Sequence, residues 1–321
     1  DPANDLGWQS ESRSDLVVSS ESCPRAVDTP GLVDQNYKIR TRSLAWGDWD
    51  NDGDLDLATG GGSDAGNQCG AFLKVYENVD GALQFDPQND LGWEWIDPGS
   101  NDKSTDKPSS LAWGDWNSDG KLDLFVGINA GTGYGRWNRV YENIGGAMAF
   151  DPGKGIGWQS TLDVGLDSET TYGVAVGDAV GDGDLDLAVG NGGSRNGGQK
   201  NLIMRNAAST IAFGPDPWSS APDARKSSDT AWGDWDGDGD LDLVTGRHGT
   251  NQVHENKVTA PHVAWTSVET ESSRHVAWGD WDDDGDLDLA VANESQPNRV
   301  YRNDGGTLTP VWASVETDRS F

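Results

Sequence analysis

Basic residues are scarce. The 321-residue chain holds 23 Lys and Arg against 54 Asp and Glu, a formal net charge of -31. A protein that tracks a nucleic-acid backbone needs the opposite balance, which excludes nucleic acid as a partner class. No run of about 18 apolar residues occurs, so no membrane-spanning helix is expected. The sequence starts at Asp1 without an apolar leader, and the expectation is a mature form or an excised segment. Cys23 and Cys69 are the only cysteines. They lack a Cys-x-x-Cys step or a nearby His, which argues against a metal role. Both lie in irregular insertions, and a disulfide between them is the expectation. The four His residues, His248, His254, His262 and His275, show no ligand spacing. His254 stands where other copies of its strand carry Tyr, which reads as a packing variant. No Gly-x-Ser-x-Gly step is present, so enzyme chemistry has little support.

What the chain has in abundance is glycine, at 43 residues, and tryptophan, at 16. Both belong largely to one stretch that occurs five times: WGDWDNDGDLDLATG, WGDWNSDGKLDLFVG, VGDAVGDGDLDLAVG, WGDWDGDGDLDLVTG and WGDWDDDGDLDLAVA. Each copy is an apolar lead-in, a loop of alternating carboxylates with glycine, and a short apolar strand. The leading glycines fall at 47, 114, 177, 233 and 279, with spacings of 67, 63, 56 and 46 residues. A third strand follows each copy, within VYEN, VYEN, LIMRN, VHEN and VYRN. A Trp-containing fourth strand recurs six times, at Asp1–Ser10, Asp86–Trp95, Asp151–Ser160, Asp216–Ser220, Val263–Ser267 and Val311–Ser314.

A period near 46 residues with four short strands per unit predicts an all-β β-propeller of four-stranded antiparallel blades. The strands are named A to D in chain order, with the acidic loop joining A to B. One domain, 1–321, is expected, with units near 1–85, 86–150, 151–213, 214–260 and 261–308 and a terminal strand at 309–321. Five A-B-C sets against six Trp strands leave five to seven blades open.

The acidic loops predict cation sites. In the first, Asp48, Asp50 and Asp52 supply side-chain oxygens at positions one, three and five. Asp54 at position seven supplies a backbone carbonyl, and Asp56 at position nine closes the shell. All-oxygen donors at flexible spacing suit calcium rather than zinc or copper. The second loop offers Asp115, Asn117, Asp119, Lys121 and Asp123, with Lys121 at the backbone-ligand position. The fourth offers Asp234, Asp236, Asp238, Asp240 and Asp242, and the fifth Asp280, Asp282, Asp284, Asp286 and Asp288. The third offers Asp178, Asp182, Asp184 and Asp186, but Val180 stands at position three, so weaker binding is expected there. Four or five calcium ions follow, in a structural role. The first Trp of each Trp-Gly-Asp-Trp step is expected between blades, with looser packing where Val176 and Ala179 replace the pair.

The A–B loop keeps one length in all five copies, and the C–D turn varies little. Length variation falls in the B–C and D–A connections, which a four-stranded meander places together at the other end. Such loops on a rigid scaffold carry recognition. Tyr134 and Trp137 are the candidate stacking residues there, for a glycan or an extracellular protein. Asn293-Glu-Ser295 is a candidate glycosylation sequon.

These strings resemble the FG-GAP/VCBS repeat family, the blade type also found in integrin α-subunit heads. The resemblance covers nearly the whole chain. It implies a calcium-bearing β-propeller, secreted or at the cell surface, used in adhesion, carbohydrate binding or as a non-catalytic module of a larger protein. The chain departs from the family in replacing the phenylalanine-glycine phrase with a Trp strand. The functional expectation is a binding or adhesion module. The alternatives are a structural matrix repeat and a calcium-dependent polysaccharide lyase.

Overall fold

The computed structural model describes residues 39–63, 71–85, 93–95, 107–129, 138–150, 157–159, 170–192, 200–206, 211–212, 218–219, 226–257 and 261–315. All regular elements among them are β-strands, in five separate antiparallel sheets. The first sheet contains β1 (Ile39–Gly47), β2 (Asp56–Ser63), β3 (Ala71–Val79), β4 (Ala82–Gln84) and β5 (Trp93–Trp95). The second contains β6 (Lys107–Gly114), β7 (Asp123–Asn129), β8 (Arg139–Asn143), β9 (Met148–Ala149) and β10 (Trp158–Gln159). The third contains β11 (Thr171–Gly177), β12 (Asp186–Asn191), β13 (Leu202–Asn206), β14 (Ile211–Ala212) and β15 (Trp218–Ser219). The fourth is β16 (Ser227–Gly233), β17 (Asp242–Arg247), β18 (Gln252–Glu255) and β19 (His262–Thr266). The fifth is β20 (Ser273–Gly279), β21 (Asp288–Asn293), β22 (Arg299–Asn303) and β23 (Leu308–Ala313).

Each sheet runs A-B-C-D in chain order, and the Trp strand completes the sheet that precedes it. Trp93, Trp158, Trp218, Trp265 and Trp312 lie opposite Val75, Val140, Ile203, Val253 and Val300 of their own third strands. Residues 309–313 therefore belong to the fifth sheet. In the fourth and fifth sheets this last strand is continuous, with a bulge between Val253 and His254 or Val300 and Tyr301. In the first three sheets it is split, because extra residues are inserted where the bulge would stand, and both pieces pair with the same third strand. Strand A also carries one bulge in every sheet, at Thr41/Ser43, Pro108/Ser110, Thr171/Gly173, Ser227/Asp229 and Ser273/His275. A bulge increases local twist, and it recurs at the equivalent position of all five sheets.

The core lies between sheets. Strand B of the inner sheets is buried on both faces, as in Asp123–Ile128. One side chain faces the sheet before and the next faces the sheet after, which explains an apolar run instead of alternation. Trp49, Ala58 and Val75 of the first sheet pack with Leu124, Val126 and Tyr141 of the second. Trp116, Phe125 and Val140 meet Val174, Leu187 and Met204. Trp235, Val244 and Val253 meet Val276, Leu289 and Tyr301. The cluster between the third and fourth sheets is built of smaller side chains, Ala179, Ala188, Ile203 and Leu243, with Trp232 partly buried beside them. There, an added Cβ on Gly173 would lie 2.6 Å from the Cα of Asp229, so the missing side chains are matched by a closer backbone approach.

His254 is buried opposite Leu243, where Tyr141 and Tyr301 stand opposite Leu124 and Leu289. Burial pushes its imidazole down to about 4, so it is a neutral packing residue. The sequon expectation is corrected. Asn293 is the last residue of β21 rather than a loop residue, is 1% exposed, and its amide donates to Glu271 and to the Pro297 carbonyl. A folded chain does not offer it for glycosylation. Cys23, Cys69, Tyr134 and Trp137 lie outside the described residues.

Candidate metal centres

The five acidic loops share one architecture. Strand A ends and strand B begins on facing residues, Gly47 opposite Asp56 in the first loop and Gly114, Gly177, Gly233 and Gly279 opposite Asp123, Asp186, Asp242 and Asp288 in the others. Position six is glycine throughout, at Gly53, Gly120, Gly183, Gly239 and Gly285, with φ between 85° and 97°. A side chain is strained there, which is why no copy carries one. Position four is also left-handed, yet three copies use Asn51, Ser118 or Asp283 at φ 58° to 61°.

The carboxylate at position nine anchors the loop. Asp56 is fully buried and accepts from the Trp49 N–H at 3.0 Å and the Asn78 N–H at 2.7 Å. The same pair of bonds reaches Asp123, Asp186, Asp242 and Asp288 from Trp116 and Asn143, Ala179 and Asn206, Trp235 and Asn256, and Trp281 and Asn303. Position one curls the chain: Asp48 accepts from the N–H groups of Asp52 and Gly53, both at 3.0 Å. Asp52 accepts from Asp54, and Asp50 from Asp52, so each of these two carboxylates keeps one oxygen clear of that ladder.

This folding brings positions one, three and nine together. Asp48, Asp50 and Asp56 form one group, Asp234, Asp236 and Asp242 a second, and Asp280, Asp282 and Asp288 a third, with one oxygen from each residue within 4.8 Å of the others. Oxygens of like charge at that separation repel, and burial removes the water that would screen them. Burial, then the neighbouring carboxylates, push Asp56 up to about 6 and Asp242 to about 7 against two opposing backbone hydrogen bonds each. Asp50 and Asp236 are also raised, chiefly by burial. One oxygen of Asp234 is buried with no hydrogen-bond partner. An unpartnered anionic oxygen inside a carboxylate triad fits a hard cation, and the donor set contains no nitrogen or sulfur.

The second and third loops differ. Asn117 replaces the carboxylate at position three in the second, and the Lys121 ammonium pairs with Asp119, a candidate ligand, at 2.7 Å. Asp123 is still pushed up to about 7, chiefly by burial, as Asp56 and Asp242 are raised. In the third, Val180 is exposed, and the Asp178 carboxylate accepts from Gly181, Asp182 and Gly183. Asp186 is raised to about 6, chiefly by burial. Among the described residues no carboxylate triad forms in either loop. At position seven, Asp54 and Asp240 are exposed, and the Asp286 carboxylate accepts from Gly305 in the C–D turn.

Asparagine stands at the C-terminal end of the third strand in all five sheets and at its N-terminal end in four, a recurrence not assigned a role from sequence. The C-terminal one donates its N–H to the position-nine carboxylate in all five sheets. In four it also reaches across to the preceding sheet: the Asn143, Asn206, Asn256 and Asn303 amides donate to the position-two carbonyls of Trp49, Trp116, Ala179 and Trp235. The N-terminal one caps strand B, with Asn138, Asn201, Asn251 and Asn298 accepting from Ile128, Asn191, Arg247 and Asn293. Leu73 stands in its place in the first sheet, where the hairpin instead continues to Gly62 opposite Ala71. The signal was the recurrence of Asn at both ends of the strand.

Comparison with known proteins adds to this geometry. Residues 48–126 and 234–291 match the model of the FG-GAP-like repeat. No curated protein matches the chain. Among solved structures, Raptor from Chaetomium thermophilum is similar in fold, with a TM-score of 0.50 at 13% identity over 86% of this chain. The chain spans only 21% of that protein's length. The FG-GAP-like match begins on the first aspartate of the first and fourth acidic loops, so the repeat recognised by sequence is the one that assembles the triads.

Proposed function

We propose that this chain is a calcium-stabilised extracellular binding module, with its five sheets arranged as blades of a propeller. Calcium occupies the acidic loops, four or five ions in all, through Asp48, Asp50, Asp52, Asp54 and Asp56 and their counterparts. The binding surface is the opposite end of the sheets. A single observation carries this reading: the register separates a constant end from a variable one. Gly47 faces Asp56 at the loop end, while Ile39 faces Ser63 at the other, and the same holds for Lys107 and Asn129, Thr171 and Asn191. The long B–C and D–A connections thus leave from strand ends remote from the carboxylates. A clamped end and a diversified end is the arrangement expected of a recognition scaffold. Tyr134 and Trp137 supply stacking surface for a glycan or protein, and a Cys23–Cys69 disulfide ties two of the insertions. Weak oxygen-only calcium sites fill at extracellular calcium levels, which supports a secreted or cell-surface location.

The test is a glycan and extracellular-protein array probed with the calcium-loaded chain and with Trp137→Ala. Binding to a defined ligand class that Trp137→Ala abolishes, at unchanged melting temperature, supports the reading. Silence on both arrays favours a structural repeat. Release of unsaturated sugars from acidic polysaccharide would favour a lyase.

A further inference from the structure

One strand position outside the acidic loops carries a charge in every sheet. The residue before the C-terminal asparagine of the third strand is Glu77, Glu142, Arg205, Glu255 and Arg302 in turn. It keeps one register, opposite Gln84, Ala149, Ala212, His262 and Thr309. Three copies are acidic and two are basic.

In the second sheet this residue touches the loop. Glu142 accepts at 3.3 Å from the side-chain amide of Asn117, the residue that replaces the carboxylate at position three. The other Glu142 oxygen accepts from the Gly157 N–H at 3.0 Å, which holds the side chain against the loop. Asn117 then keeps its carbonyl oxygen turned into the loop, where it accepts from the Asp119 N–H at 3.1 Å, as Asp50 accepts from Asp52 in the first loop. A carboxylate on the amide N–H fixes that orientation and makes the carbonyl oxygen a stronger donor to a cation.

In the fourth sheet Glu255 pairs with Lys257 and, at 3.2 Å, with His262. Asp236, at position three, is raised by burial first and then by carboxylates that include Glu255. In the fifth sheet the sign reverses. The Arg302 guanidinium pairs with Asp304 at 2.8 Å and lies in the field of Asp282 and Asp284, at positions three and five. Arg205 belongs to the third sheet, whose loop has Val180 at position three. The two loops without a position-three acid thus differ: the second gains a carboxylate from its third strand, and the third does not.

We infer that this third-strand residue grades the cation sites by its charge. Glu142 is a positioning residue that lets Asn117 serve as a ligand in the second loop. Arg302 weakens the fifth site, although that loop holds the most aspartates, at 280, 282, 283, 284, 286 and 288. The inference rests on calcium occupying the acidic loops, as proposed above. Calcium affinity follows the charge gathered around the ion, so a carboxylate and a guanidinium at the same position act in opposite directions.

The experiment is calorimetric calcium titration of the full chain after chelation, with each variant first checked for the parent's cooperative melt in calcium. Glu142→Gln is expected to weaken one ion by about tenfold or more. Adding Asn117→Asp should recover most of that loss, which it would not do if Glu142 served only to hold Gly157. Arg302→Gln should tighten one ion by about threefold, since the guanidinium is partly exposed. That gain should vanish when Asp280→Asn disables the fifth loop. Unchanged affinities in both single variants overturn the inference. So does a Glu142→Gln loss that Asn117→Asp leaves in place, or an Arg302→Gln gain that survives Asp280→Asn. A parent chain that binds no calcium overturns the calcium reading itself, whereas a parent that binds it with variants that match overturns this inference alone.

Discussion

The side-chain amide of Asn143 donates to the backbone carbonyl of Trp49 at 2.5 Å, while its main-chain N–H donates to Asp123 at 2.7 Å. One residue thereby ties the acidic loop of its own sheet to the acidic loop of the sheet before. Loop geometry and sheet-to-sheet packing are one structure, and a cation that orders the first steadies the second.

Asn143→Ala removes the side-chain donor to the buried Trp49 carbonyl. The expected loss is about 1–3 kcal/mol, because the Trp49 carbonyl is stranded away from water. Asn78→Ala loses a bond confined to its own sheet, and about 1 kcal/mol or less is expected. Urea titration of both variants in calcium decides this, and equal losses would contradict the cross-boundary role.

The glycines on the sheet faces should rank by what their Cβ meets. Gly173→Ala collides with the backbone of Asp229 and Thr230 at 2.6 and 2.8 Å, which cannot yield as a side-chain tip can. A loss of about 1–3 kcal/mol or more follows from overpacking. Gly279→Ala has open space, and in dilute solution its melting temperature should match that of the parent. A harmless Gly173→Ala would mean that the third and fourth sheets are not in backbone contact.

Loop chemistry predicts a gain as well as losses. Val180→Asp restores the missing position-three carboxylate on an exposed site, where the substitution costs little packing. Calorimetric titration should show one more calcium ion, or a third-loop site of markedly higher affinity. An unchanged isotherm would mean that position three is not a ligand.

Calcium and protons should compete. Asp56 and Asp186 are raised to about 6, and Asp123 and Asp242 to about 7, from an ordinary 3.8. A carboxyl with a raised folded-state value favours the fold when protonated. Its contribution without cation is full below the ordinary value and is lost as pH climbs through about 6 to 7. Calcium replaces those protons, so its stabilising effect should be small at about pH 5 and large at about pH 8. Melting of calcium-stripped and calcium-loaded protein at the two values tests this. An equal or larger calcium effect at the lower pH would refute it.

Much of this was legible in the sequence because the acidic loop is self-contained. Its glycine at position six, its alternating carboxylates and its apolar exit strand act within twelve residues, as WGDWDNDGDLDL shows. Strand D was harder. Its two pieces in the first three sheets are joined by insertions, so β4, β9 and β14 fall before the Trp strands read from sequence. Which sheet a Trp strand completes depends on pairing, which composition does not encode. Trp113, Trp232 and Trp278 lie partly covered between sheets, and Trp49, Trp116 and Trp235 are buried more deeply still, while Trp46 and Trp281 are exposed. The third-strand asparagines act through backbone groups of the preceding sheet, 68 to 94 residues away, beyond any local pattern.

The central claim is that cations in the acidic loops hold this fold together. Thermal melting of the full chain, stripped with chelator and then restored with calcium or with magnesium, tests it most directly. The prediction is a large drop in melting temperature on stripping, recovered by calcium and poorly by magnesium, whose stricter octahedron this flexible donor set does not match. A melting temperature that stripping leaves unchanged would contradict it.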